Sequence, residues 1–196
     1  SLYAATKAAN ELMAYTYAQL FGLKATGLRF FTVYGPWGRP DMAPFLFADA
    51  MLSGRPVQVC NEGRMTRDFT YIDDIVEGVL RVLDKPATAD PLYDPAQPDP
   101  STSSAPWRLF NIGNSTPVPL LEFIDTMERA LGVTAVREML PLQPGDVLAT
   151  HADTSALEAW VGFSPATSLA EGVQRFPDWF RPRYHPQRRG ERRQLP

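Results

Sequence analysis

Apolar and polar residues along this chain follow a helical period in some segments and a strand period in others, and the two kinds of segment alternate. The helical period predicts helices over residues 4–21, 44–52, 75–83, 120–131 and 168–180, and a short helix that starts near Asp153. The strand signals predict strands over residues 24–34, 56–60, 68–71, 107–112 and 135–142. A helix followed by a buried strand implies parallel strands joined through helices, so the sequence predicts an α/β fold.

The first predicted helix places Tyr3 and Lys7 one turn apart on the same face. A free phenol has a pKa of about 10, and an ammonium group one turn away stabilises the phenolate and lowers that pKa. Small residues around the pair leave room for a flat ligand, so Tyr3 can exchange a proton with a substrate hydroxyl while Lys7 tunes it. The alternative is an ordinary surface tyrosine and lysine, which the spacing by itself favours.

Three arginines lie in or beside predicted loops that a ligand can approach. The strand over 24–34 ends in a Gly- and Pro-rich stretch, residues 35–41, and the planar guanidinium of Arg39 in this stretch suits a carboxylate or a phosphate. A solvated arginine in a turn explains Arg39 equally well. Arg64 and Arg67 precede a buried strand, which makes them candidates for holding a diphosphate.

The segment that follows carries acidic residues for which helix capping is the preferred interpretation. Polar and aromatic residues alternate over 68–71, which predicts a strand. Asp74 and Glu77 form a capping box at the start of the next helix, so capping explains Asp73 and Asp74 better than a pair of catalytic carboxylates does. Residues 85–106 are rich in Pro, Asp and Ser and predict an exposed, mobile loop.

Composition places the chain among globular proteins, since 44% of its 196 residues are hydrophobic. No apolar run approaches the roughly 18 residues of a membrane span and no secretion signal is visible, so a cytoplasmic protein without a membrane partner is expected. One cysteine, Cys60, and two histidines, His151 and His185, offer neither a disulfide framework nor a clustered ligand set. No metal site is therefore predicted.

The net charge of −3 conceals an uneven distribution of charge along the chain. Residues 181–196 contain six arginines and one glutamate, whereas the rest of the chain is acidic. A basic, proline-containing and non-periodic end predicts a disordered tail. No aromatic platform or recognition fold accompanies these arginines, so nucleic-acid binding is not the expected role.

Several blocks follow one another in a fixed order: Tyr3-x-x-x-Lys7 and residues 28–36, 67–74, 110–114 and 143–146. These blocks resemble those of the extended short-chain dehydrogenase/reductase family, also called the NAD-dependent epimerase/dehydratase family, and within it the UDP-glucuronate 4-epimerases. The match runs over residues 1–180 and is similar to the C-terminal part of the family's chains. Ordered blocks at these spacings are more specific than any one of them, so the resemblance favours the catalytic interpretation of Tyr3 and Lys7.

The resemblance implies the C-terminal part of a Rossmann-like doubly wound parallel sheet with a small α/β substrate-binding lobe. Residues 1–42 would be the remainder of the NAD-binding domain. Residues 43–180 would be mainly the nucleotide-sugar-binding lobe, which includes the exposed loop 85–106. Residues 181–196 would be the basic disordered tail. The family's Gly-x-x-Gly-x-x-Gly turn, which holds the NAD pyrophosphate, has no counterpart in this sequence. The chain is therefore expected to be a fragment that lacks roughly half of the enzyme and is inactive by itself.

The resemblance also implies roles for the residues that act on the sugar and the cofactor. Tyr3 would take the proton of the sugar 4-hydroxyl while a hydride passes from C4 to NAD. The 4-keto intermediate would then rotate, and the hydride and the proton would return to its opposite face. Lys7 would hold the nicotinamide ribose, and Phe30 would lie beside the nicotinamide.

The nucleotide would be bound by charged and polar residues from two of the matching blocks. Arg67, together with Arg64, would grip the UDP diphosphate. Asp146 would accept a hydrogen bond from a ribose hydroxyl, with Gln143 nearby.

Thr32 and Arg39 resemble a clamp for the sugar carboxylate, because a guanidinium discriminates a carboxylate from a hydroxymethyl group by charge. The expected function is thus a fragment of an NAD-dependent UDP-glucuronate 4-epimerase, with a homodimer for the full-length form. A nucleotide-sugar dehydratase or decarboxylase of the same family is the first alternative, and Thr32 and Arg39 argue against it. A non-catalytic nucleotide-sugar-binding module is the second.

Overall fold

The computed structural model describes residues 1–185 as six helices and seven strands in mixed order. The helices are α1 (Leu2–Phe21), α2 (Ala43–Leu52), α3 (Ile72–Asp84), α4 (Leu120–Leu131), α5 (Ser155–Val161) and α6 (Leu169–Tyr184). The strands are β1 (Ala25–Phe30), β2 (Thr32–Tyr34), β3 (Val57–Val59), β4 (Thr66–Tyr71), β5 (Trp107–Ile112), β6 (Pro117–Pro119) and β7 (Arg137–Met139). A single 3₁₀ turn, Cys60–Gly63, follows β3.

Parallel pairs dominate the strand pairing, which confirms the predicted α/β class. β1 pairs in parallel with β5, β2 with β4, and β3 with β7, while β6 adds to β4 in antiparallel fashion. The predicted strand over 24–34 is divided at Phe31, and its two parts pair with different partners. Because β5 pairs with β1, the pairing crosses the predicted boundary between residues 42 and 43, and that division stays a prediction.

The main hydrophobic core lies where α2, α4 and α6 pack against β3 and β4. Phe69 of β4 stacks on Phe123 of α4 with 4.1 Å between the ring centroids. Tyr34, at the end of β2, meets both rings edge-on. Aromatic pairs of this geometry add to the free energy of burial, so this cluster fixes β4 relative to α4.

The longest helix, α1, is held on the sheet by a small contact area. Among its residues only Ala18 is buried, and it packs against Trp107 and Leu109 of β5. The helix ends at Gly22, which has the left-handed φ of 64°. Most of the apolar side chains of α1, including Leu12, are exposed.

The capping interpretation of Asp74 is wrong. Helix α3 begins at Ile72, so Asp74 lies inside the first turn instead of before it. Its carboxylate accepts hydrogen bonds from the Thr167 backbone nitrogen at 2.9 Å and from the Thr167 hydroxyl at 3.0 Å. Asp73 is turned toward Arg175, at 3.5 Å. The two carboxylates therefore serve two separate contacts with the C-terminal part of the chain, and they form no pair.

The predicted disordered tail begins too early. Helix α6 continues to Tyr184, because Phe180 and Tyr184 both pack on Phe45 of α2 with 4.8 Å between ring centroids. Arg181 adds a hydrogen bond to the Leu131 carbonyl oxygen at the end of α4. The part of the predicted tail that follows residue 185 lies outside the described residues.

The predicted loop over residues 85–106 contains neither helix nor strand, as expected, but it is not exposed throughout. Ala87 and Ser103 are fully buried. Asp90 forms an ion pair with Arg108 of β5 at 3.1 Å, and both side chains are largely buried. These contacts tie the loop to β5, and its mobility stays a prediction.

Candidate active site

A cavity of about 690 Å³ lies between α2, β3 and β4. Three of the predicted substrate-binding residues line it: Thr32 at the start of β2, Arg67 in β4 and Asp146 in the loop after β7. Leu46 and Phe47 of α2 contribute to an apolar wall. Residues that are far apart in sequence thus meet in one space that has both charged and apolar sides.

Hydrogen bonds to β4 hold the two charged walls of the cavity together. The Thr66 backbone nitrogen donates to the Leu148 carbonyl oxygen at 2.9 Å, and the Thr150 nitrogen donates to the Thr66 carbonyl oxygen at 3.1 Å. Asp68, which is 0% exposed, accepts a hydrogen bond from the Ala152 nitrogen at 2.9 Å. The segment that follows Asp146 is therefore anchored on the strand that carries Arg67.

Two predicted substrate-binding residues lie elsewhere. Arg64 follows the Cys60–Gly63 turn and forms an exposed ion pair with Glu62 at 3.1 Å. The Gln143 side chain donates to the Pro141 carbonyl oxygen at 3.5 Å. Neither residue lines the cavity, so their role in substrate binding stays a prediction.

Arg39 and Asp41 form a two-point ion pair beside the cavity. Arg39 Nε donates to Asp41 Oδ1 at 3.1 Å and Nη2 donates to Oδ2 at 2.6 Å, and Asp41 lines the cavity. Asp41, through the hydrogen bond and its charge, raises the pKa of Arg39, and the Tyr3 hydroxyl adds in the same direction. Arg39 in turn lowers the pKa of Asp41.

The predicted catalytic pair is together and open to solvent. Lys7 Nζ lies 5.4 Å from the centroid of the Tyr3 ring, and Tyr3 is 66% exposed. One turn further along α1, Glu11 holds Arg29 of β1 through two hydrogen bonds of 2.7 Å. Arg29 is the penultimate residue of β1. Lys7 and Tyr3 lie one and two turns before Glu11 on α1, so they extend beyond the carboxyl end of that strand.

Phe30 ends β1 and is 54% exposed, so its ring is accessible at this same edge of the sheet. The edge formed by the carboxyl ends of parallel strands is where open α/β sheets bind nucleotides. Tyr3, Lys7 and Phe30 therefore supply a phenol, an ammonium group and an aromatic face at a position typical of cofactor binding.

Residues 1–94 match the model of the NAD dependent epimerase/dehydratase family. Over this stretch, a little under half of its length, the chain is similar to members of this family. A relative from Escherichia coli O111:H-, named "Uncharacterized 37.6 kDa protein in cld 5'region", is 58% identical over 94% of this chain and 55% of its own length. A probable UDP-glucuronate 4-epimerase from Rhizobium meliloti is 49% identical over 94% of this chain and 54% of its own length.

A solved structure supports the fold assignment. The crystal structure of UDP-glucuronic acid 4-epimerase from Bacillus cereus, in complex with UDP-glucuronic acid and NAD, superposes with a TM-score of 0.78 at 31% identity. The match covers 92% of this chain and 52% of that chain. The chain thus spans about half the length of the relatives it matches.

Sequence reasoning missed a second charged cluster on the cavity wall. Asp49 of α2 forms an ion pair with Arg55, and both residues line the cavity. His185 Nε2 lies 2.9 Å from the other oxygen of Asp49. No local signal marks this cluster, because its members come from a helix, a turn and the end of α6.

Within residues 1–185, no helix is both long and apolar enough to cross a membrane. The same part of the chain contains no group of three or more His, Cys, Asp or Glu side chains that could hold a metal ion.

Proposed function

We propose that this chain is the substrate-binding part of an NAD-dependent UDP-glucuronate 4-epimerase. The observation that carries the proposal is the convergence of Thr32, Arg67 and Asp146 on one cavity, whose wall also includes Asp41, the ion-pair partner of Arg39. The named relative from Rhizobium meliloti and the Bacillus cereus structure support the choice of UDP-glucuronate.

The cavity has the size and chemistry that a nucleoside diphosphate needs. Its volume of about 690 Å³ is typical of small-molecule sites. The Arg67 guanidinium would bind the diphosphate by charge-assisted hydrogen bonds, and the Asp146 carboxylate would accept hydrogen bonds from ribose hydroxyls. Leu46 and Phe47 offer apolar surface for the base.

Proton transfer would fall to Tyr3. A phenol can exchange a proton with a sugar hydroxyl, and Lys7 Nζ lies 5.4 Å from the centroid of the Tyr3 ring. Tyr3, Lys7 and Phe30 fit the nicotinamide-ribose end of NAD, because they present an ammonium group, a hydroxyl and an exposed ring at one edge of the sheet. Bound there, NAD would supply the reversible oxidation at the sugar C4 carbon.

Recognition of the sugar carboxylate would depend on Arg39. Asp41 occupies the Nε and Nη2 donors of Arg39, and the remaining N–H groups of the guanidinium are available to a second carboxylate. The negative charge of Asp41 would oppose that second carboxylate. Arg39 is therefore a selective site for a uronate in which Asp41 limits the affinity.

A non-catalytic nucleotide-sugar-binding module is the second candidate. The observation in its favour is that residues of this chain form the cavity walls, whereas Tyr3 and Phe30 are largely exposed. The predicted homodimer and the cytoplasmic location also stay predictions.

Titration calorimetry of the chain with UDP, UDP-glucuronate and NAD tests the proposal. Arg67→Ala should weaken UDP binding by about 10- to 100-fold, since it removes charge-assisted hydrogen bonds to the phosphates. Arg64→Ala is the matched control, because it removes the same charge three residues upstream but outside the cavity. Equal losses for both variants, or no binding of UDP to the wild-type chain, would contradict the proposal. Binding of UDP without binding of NAD would favour the module, and detectable turnover would reject it.

A further inference from the structure

The loop over residues 35–41, which carries Arg39, is fastened to the end of α6 through one side chain. The Arg183 guanidinium lies over the Trp37 ring, with 4.5 Å to its centroid, and 5.7 Å from the centroid of the Trp179 ring. The two indole rings are 5.9 Å apart. Trp37 is 75% exposed, and Arg183 and Trp179 are its partners in this contact with α6.

The backbone of Trp37 requires such a contact. Its φ of 65° lies in the left-handed region, which a bulky residue rarely adopts without support from its surroundings. Two turn hydrogen bonds, from the Gly38 nitrogen to the Gly35 carbonyl oxygen at 3.3 Å and from the Met42 nitrogen to the Arg39 carbonyl oxygen at 3.2 Å, are the local restraints. The stacked ring adds to these a restraint that comes from α6.

The other side of this contact is rigid. Trp179 is buried, and Phe180 next to it lies in the main core. Arg183 also donates a hydrogen bond to the Trp179 carbonyl oxygen at 3.4 Å. The Arg183 guanidinium is thus held by a packed helix, and it provides a fixed planar surface on which the Trp37 ring stacks.

We propose that Arg183 is a positioning residue for Arg39, and that its stacking on Trp37 sets the preference of the site for a sugar carboxylate. The inference rests on the proposed function, because it assigns Arg183 to the carboxylate subsite of the same cavity. Trp37 is two residues from Arg39, so a loop released from α6 would let Arg39 and Asp41 move together away from the cavity. The nucleotide subsite would be unaffected, since Arg183 does not line the cavity that Arg67 and Asp146 line.

Calorimetric titration of the Arg183→Gln chain with UDP-glucuronate and with UDP-glucose tests this inference. We expect the affinity for UDP-glucuronate to fall about fivefold, the size of one exposed ion pair, and the affinity for UDP-glucose to stay within about twofold. Arg175→Gln is the control, because Arg175 is on the same helix and pairs with Glu171 at the opposite end from Trp37. Arg183→Lys, which keeps a cation over the ring, should restore part of the preference.

Hydrogen exchange of the amides of residues 37–42 gives a second readout that does not depend on ligand. Exchange should be faster in Arg183→Gln than in wild type and unchanged in Arg175→Gln. Unchanged exchange in Arg183→Gln, or equal losses for both sugars, would overturn the positioning role. If exchange is faster in Arg183→Gln but the wild-type chain binds no UDP-sugar, the positioning of the loop is supported and the proposed function is overturned.

Discussion

Replacing Asp68 tests whether one buried carboxylate joins the parts of the chain that form the cavity. Asp68 Oδ1 accepts a hydrogen bond from the Asn114 nitrogen, and Oδ2 accepts one from the Ala152 nitrogen, both at 2.9 Å. The side chain is 0% exposed. It therefore connects β4 to the exit of β5 and to the segment that follows Asp146.

The cost of Asp68→Ala follows from the fate of these two donors. The Ala152 N–H loses its acceptor while buried, which costs about 1–3 kcal/mol. The Asn114 N–H keeps the Thr70 hydroxyl at 3.0 Å, so its loss is that of an ordinary hydrogen bond, about 0.5–1.5 kcal/mol. We expect a total of about 2–4 kcal/mol, which is a large part of the stability of a domain of this size. Asp68→Asn retains one acceptor oxygen and should lose less.

Urea unfolding followed by tryptophan fluorescence measures this cost. With an m-value of about 2 kcal/mol/M, the midpoint should fall by about 1–2 M for Asp68→Ala. Asp73→Ala is the control, because the Asp73 side chain is 69% exposed and its ion pair with Arg175 is 3.5 Å long. A shift in Asp68→Ala no larger than that in Asp73→Ala would refute the reasoning that the buried hydrogen bonds hold the segment.

Gly172→Ala should destabilise the chain by about 1–3 kcal/mol, because its Cβ would overlap a buried tyrosine hydroxyl, and an unchanged thermal midpoint would contradict this packing. A hydrogen bond from the Leu92 nitrogen lowers the pKa of Asp90, so this stabilisation exists above the unfolded pKa of about 3.9 and is lost as pH falls through the folded value. Asp90→Asn should therefore flatten the fall of the thermal midpoint below about pH 4, and an unchanged profile would exclude the contact. Asp41→Asn should raise the calorimetric affinity for UDP-glucuronate by about two- to fivefold, since it removes a carboxylate that competes for Arg39. Weaker binding would contradict the idea that Asp41 limits the affinity.

Elements with local signals were predictable from the sequence. Helix α4 covers the predicted residues 120–131, and Gly132 ends it with φ 63°, because an apolar stripe and a glycine stop are both encoded within a few turns. Helix α6 was predicted to end at Phe180, since the two prolines and the arginines that follow are poor signals for a helix. The contacts that extend it to Tyr184 come from Phe45, which is far away in sequence.

The cavity residues also depend on contacts with distant parts of the chain, which the sequence does not reveal. Arg64 and Arg67 are equivalent in type and nearly adjacent, yet Arg67 lies on β4 and lines the cavity while Arg64 follows a turn and pairs with Glu62. Spacing cannot separate them, because the difference arises from pairing between β4 and strands that come earlier and later in the chain. The importance of Asp68 is likewise invisible locally, since one of its partners is 84 residues away.

The position of Asp68 next to Arg67 links stability to ligand binding. Both residues are on β4, and the strand is bonded at Thr66 and Asp68 to the segment that follows Asp146. The diphosphate and ribose contacts that we propose thus lie on opposite sides of one set of hydrogen bonds. A substitution that breaks this set should weaken UDP binding in proportion to the local opening that it allows, even though Asp68 does not line the cavity. Arg183 acts on the carboxylate subsite alone, so the two kinds of variant should separate nucleotide affinity from sugar preference.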